Sequence, residues 1–157
     1  MSAKERSDLV LFLSGEGRDS RGRRLEDILS FTDKQLEAYH DFIQWLFPLD
    51  TPSAAVPGSP VLTAADIEAI RADQSCQTNL KRSAERMKRF YAENDHWLVP
   101  TNHNHLRISR IIRSLKQLVG REDAEKFFDL IMKRVRESGD RVSSTSQRYW
   151  RETLGES

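Results

Sequence analysis

Apolar residues recur at helical spacing along nearly the whole chain, without the alternation that marks a strand. Leu9, Phe12 and Leu13 define a short helix that Ser7 can cap and Gly15 can end, and Leu25, Ile28 and Leu29 define a second of about two turns. The third start is doubly marked: Thr32 with Gln35 forms a capping box, and Phe31 with Leu36 occupies the positions of a hydrophobic staple. From there Leu36, Tyr39, Ile43 and Leu46 make one stripe, widened by Phe42, Trp45 and Phe47 and stopped by Pro48, which predicts one helix over 32–47. Three prolines in 50–60 make a connector. Thr63 with Asp66, flanked by Leu62 and Ile67, then repeats the start signal. A longer helix over 75–93 carries Cys76, Leu80, Ala84, Met87, Phe90 and Tyr91 on one side. Past an irregular stretch in which Trp97 pins a loop, Ile108, Ile111, Ile112, Leu115, Leu118 and Val119 form a core stripe ending at Gly120, with Asn102 and Asn104 both open as caps. Helices over 122–138 and 143–154 follow, the first ended by Gly139 and the second carrying Tyr149, Trp150 and Leu154. The pattern predicts an all-α protein, a single compact bundle of about six to eight helices without a sheet, with one domain over 1–157.

Composition narrows the setting. The longest apolar run, Leu9 to Leu13, is far short of the roughly 20 residues a membrane-spanning helix needs. The single cysteine, Cys76, falls in an apolar stripe and reads as a small core residue. A soluble cytoplasmic protein without a cofactor is expected. The net charge of +1 hides an asymmetry: two basic against nine acidic residues over 25–75, then ten basic against three acidic over 76–121. Either the two segments neutralise each other or the basic one faces an anionic partner.

Candidate chemistry is sparse. The glycine- and arginine-rich segment 15–24 has no P-loop ending and reads as a mobile solvated loop. On the helix predicted over 32–47, Glu37, His40, Asp41 and Gln44 form a polar strip. His103 and His105, with His96 as a third partner, invite a metal reading, but two residues apart on a helix they point to opposite sides, and no metal site is expected. Basic faces are predicted at Lys81, Arg82, Arg86, Lys88 and Arg89, and at Arg107, Arg110, Ser114, Gln117 and Arg121 opposite the core stripe of the later helix.

Two passages are more specific than packing requires: Phe42-Ile43-Gln44-Trp45-Leu46-Phe47-Pro48 and Asn102-His103-Asn104-His105-Leu106-Arg107-Ile108-Ser109-Arg110-Ile111-Ile112-Arg113-Ser114-Leu115. Together they resemble the conserved domain of the opioid growth factor receptor family, over roughly 8–136. The resemblance implies a helical domain without a transmembrane segment. In animal members that domain is associated with binding an endogenous opioid peptide and is followed by C-terminal repeats. This chain has no such repeats and looks like a short, stand-alone member. The resemblance carries no catalytic or ligand residues to this chain. The function expected first is a non-enzymatic binding or signalling module that takes a peptide or protein through Asp41, Gln44, Trp45, His103, Asn104, Arg107 and Arg110. The second is nucleic-acid binding through Lys81, Arg82, Arg86, Arg89, Arg110 and Arg113. The third is an enzyme using His40, Asp41 and His103 as acid–base groups. Against all three stands a structural role for Arg107 and Arg110, fixing helix register against Glu37 or Asp41.

Overall fold

The computed structural model describes residues 6–155. Among these the regular structure is helical throughout, in nine helices: α1 Asp8–Ser14, α2 Leu25–Leu29, α3 Asp33–Ala38, α4 Ile43–Leu46, α5 Ala64–Ala72, α6 Gln74–Glu93, α7 Asn104–Leu118, α8 Arg121–Glu137 and α9 Ser144–Leu154. No helix among the described residues is long and apolar enough to cross a membrane. The chain divides after Ser83, within α6, into two units.

In the first unit the predicted start signals act as read. Ser7 Oγ accepts from Val10 N at 3.2 Å, and Gly15, at φ 93°, closes α1. Reciprocal capping boxes form at Thr32/Gln35 and at Thr63/Asp66. Helix α1 packs on α4 and α5, its Phe12 ring meeting Trp45 edge-on at 5.4 Å. Asn79 on α6 donates to the Leu13 carbonyl at 2.9 Å, and the Cys76 thiol lies buried beneath Val10. The proline-rich connector is closed at its base, where Leu62 N donates to Leu49 O at 2.8 Å. Gly17 is needed for space, since a Cβ there would stand 2.8 Å from that of Leu11.

The second unit is built on α7, which packs against both α8 and α9. Its stripe of Ile108, Ile111, Ile112, Leu115 and Leu118 is buried as predicted, as are Ala124, Phe127, Phe128, Ile131 and Val135 of α8. Trp97 pins its loop as expected: the indole N–H is shared between the Tyr91 and Asn94 carbonyls, at 3.2 and 2.8 Å. Arg134 of α8 joins that end of α6, donating to Tyr91 O at 3.2 Å and pairing with Asp95 at 2.6 Å.

Candidate functional site

The helix predicted over 32–47 does not run through. Tyr39 is extended, at φ −88° and ψ 136°, and the chain crosses 39–42 without regular structure before the single turn of α4. Glu37, His40, Asp41 and Gln44 therefore do not form a strip on one helix. The preceding loop shows why. Asp19, whose side chain is fully buried, accepts from the backbone N–H of Arg21 and of Arg23, both at 2.9 Å, and from Arg23 Nε at 2.7 Å. Gly22 N closes the turn onto Asp19 O at 3.0 Å. So fixed, Arg23 reaches Asp41 at 3.0 Å and stacks over Phe31 at 5.8 Å, while Arg21 meets the other Asp41 oxygen at 3.2 Å. Segment 15–24, expected to be a mobile solvated loop, is thus an anchored one, and its hold on Asp41 draws 39–42 out of helical geometry.

Gln44 has a definite task. It is buried, and its Nε2 donates to the His40 carbonyl at 3.1 Å, holding the irregular segment from below. Above that bond Tyr39 is 42% exposed and His40 is exposed, with Tyr39 edge-on to Phe31 at 5.2 Å. Trp45, proposed from sequence as a binding residue, is 8% exposed against Phe12 and belongs to the core.

The candidates in the second unit divide sharply. His103 is exposed at the start of α7. Asn104 is fully buried: it accepts from Tyr91 Oη at 3.1 Å and donates to Asn102 Oδ1 at 3.0 Å through Nδ2 and at 2.9 Å through its backbone N–H. Asn102 is therefore the side chain that caps α7, and Asn104 ties the helix to α6. His105 is buried as well. Its Nε2 lies 2.8 Å from the Trp97 carbonyl, so it carries the proton, and Nδ1 accepts from Ser146 Oγ at 3.1 Å. Burial holds its pKa below the ordinary value, against the opposing effect of the Trp97 bond, with His103 adding to the lowering. Among the described residues no three His, Cys, Asp or Glu side chains gather as metal ligands.

The basic faces are smaller than the sequence suggested. Arg86 is 7% exposed, and Arg82 pairs with Glu26 at 2.5 Å, which lowers the Glu26 pKa and raises that of Arg82. Lys81 and Arg89 remain exposed. On α7, Arg107 and Ser114, placed on the solvent side from spacing, are buried. Arg110 is partly buried, and burial followed by the nearby Arg113 lowers its guanidinium to about 10, still protonated at neutral pH. A phosphate backbone needs several exposed cations along its track, and burial removes Arg86 and much of Arg110 from that set.

Residues 19–96 match the opioid growth factor receptor conserved region, a span that opens on Asp19 and contains the whole of the 39–44 segment. The chain carries the opioid growth factor receptor conserved region. The human opioid growth factor receptor is 35% identical over 118 residues, covering 60% of this chain and 17% of that protein. The rat receptor is 36% identical, covering 62% of this chain and 20% of its own length. The chain thus spans a fifth or less of either relative. No solved structure matches it.

Sequence reasoning did not place Asp19, Arg21, Arg23, Phe31 or Tyr39 in a site. One signal was present: Asp19-Ser20-Arg21-Gly22 has aspartate first and glycine fourth, the preference of a tight turn with its aspartate folded back onto the backbone. Nothing local announced that the turn would deliver an arginine to a residue eighteen positions on.

Proposed function

We propose that this chain is a non-enzymatic recognition module that binds a peptide or protein partner on the surface formed by Arg21, Tyr39 and His40. The observation that carries the reading is the pair of locks beneath that surface, Gln44 to the His40 carbonyl and Asp19–Arg23 to Asp41. Tyr39 is 42% exposed two residues before Asp41, and the Arg21 guanidinium that pairs with Asp41 is 70% exposed. Tyrosine and arginine are the side chains in which binding free energy concentrates, and a surface ordered in advance loses little entropy on binding. The same locks weaken the enzymatic alternative, because both oxygens of Asp41 are engaged by arginines. The receptor names of the relatives favour a peptide or protein as the partner class.

The opioid growth factor named by those relatives is the first peptide to try. Fluorescence anisotropy with the labelled peptide should show saturable binding that weakens about tenfold or more in Tyr39→Ala/Arg21→Glu, a loss typical of a contact centre, with the melting temperature preserved. Equal affinity in that variant, or no binding by the parent chain, overturns this form of the proposal.

A further inference from the structure

A second surface, outside the family-matched span, lies in the α7–α9 pair. The two helices run parallel: His105 meets Ser146 near their starts, and Lys116 lies against Gly155 near their ends. Between them opens a shallow groove of about 500 Å³, lined by Arg113, Lys116, Gln117, Tyr149, Glu152 and Thr153. Tyr149 is 50% exposed there. The apolar character continues along α7, where Leu106 is 69% exposed and shares a side of the helix with Arg110, Arg113 and Gln117 by spacings of four, three and four.

The charge of this pair is one-sided. Helix α7 contains Arg107, Arg110, Arg113 and Lys116 and no acidic residue in its fifteen positions, and α9 adds Arg148 and Arg151 against Glu152 alone. Arg107 is buried, but Arg113, Lys116, Arg148 and Arg151 are exposed. Charge complementarity therefore selects an anion, and the half-exposed aromatic ring and Leu106 select one with apolar side chains between its charges.

We infer that the α7–α9 groove binds an acidic protein segment in which carboxylates alternate with aliphatic or aromatic side chains, the carboxylates on Arg113 and Lys116 and an apolar side chain on Tyr149. A nucleic acid fits less well. The groove is one short depression rather than a track along a strand. None of its lining residues is shared with the Tyr39 surface or falls within residues 19–96.

The test uses a fluorescein-labelled synthetic Glu/Leu peptide, its Lys/Leu counterpart and a labelled single-stranded oligonucleotide, each titrated with the full chain. Lys116 also stands at the end of α9, so the variant is Arg113→Glu/Tyr149→Ala, with its melt compared to the parent. The acidic peptide should bind, the basic one should not, and the variant should lose about tenfold in affinity, the sum of one reversed charge contact and one lost aromatic contact. Tyr39→Ala/Arg21→Glu should leave this affinity unchanged. Equal affinity in a folded Arg113→Glu/Tyr149→Ala variant overturns the assignment. So does tighter binding of the oligonucleotide that is lost in the same variant, which would make the groove a nucleic-acid site.

Discussion

Asp19→Ala is the substitution that most exposes how the recognition surface is held. The carboxylate has no solvent exposure and accepts three N–H groups at 2.7 to 2.9 Å, two from the backbone and one from Arg23. Removing it strands the Arg21 and Arg23 backbone donors and deprives a guanidinium of one of its carboxylates. Breaking a buried charged pair costs about 3–5 kcal/mol, and the retained contact of Arg23 with Asp41 keeps the loss near the lower end, about 3 kcal/mol. For a chain of this size that corresponds to a fall in Tm of about 6–12 °C. Urea unfolding followed by circular dichroism reads the free energy, and calorimetry reads Tm. Asp19→Asn keeps an acceptor for the backbone donors while losing the charge, so it should fall between parent and alanine variant. Because the 19–23 turn would lose the carboxylate that fixes it, leaving Arg23 with Asp41 alone, peptide affinity at Tyr39 should drop together with stability. A loss below about 1 kcal/mol in Asp19→Ala would refute the reasoning, since that is the worth of one ordinary neutral hydrogen bond.

Three further outcomes follow from the second unit and from α6. His105 is held neutral by burial, so the unfolded chain takes up a proton more readily; its contribution to stability is full above the unfolded value near 6.5 and is lost as pH falls below it, a slope that urea titrations at descending pH should show and His105→Gln should flatten. Trp150, fully buried, edge-on to His105 at 5.5 Å and donating to its carbonyl at 2.9 Å, should cost about 3–5 kcal/mol when replaced by alanine, measured by the same unfolding assay. Burial, with Asp73 nearby, pushes the Cys76 thiol up to about 12, so a thiol-reactive chromophore should label the chain only in denaturant, and rapid labelling of the native chain would contradict its place in the core.

Helical stripes and start signals were legible because they are local. Thr32 and Thr63 each name their capping partner three residues on, and the Ile108-to-Leu118 stripe repeats often enough to leave one buried side. The candidate site was far less legible, because long-range polar contacts make it. No residue in 39–42 is a glycine or proline, and helical spacing continues through them, yet Asp41 answers to arginines eighteen and twenty positions earlier. The same cause hid the buried polar residues. Arg107 and Ser114 look solvent-facing from periodicity, and burial of Asn104, open as a cap from sequence, becomes intelligible only once Tyr91 and Asn102 are seen to satisfy it. Gln44, the one polar residue in an otherwise apolar run, did mark a special position: buried, it donates to the His40 carbonyl.

The most direct measurement of the central claim is a nitrogen-15 chemical-shift titration of the full chain with the unlabelled opioid growth factor peptide. The account predicts that the largest changes fall on the amides of Arg21, Tyr39 and His40, with the α7–α9 groove undisturbed. Changes centred elsewhere, or a spectrum unaltered at saturating peptide, would contradict it.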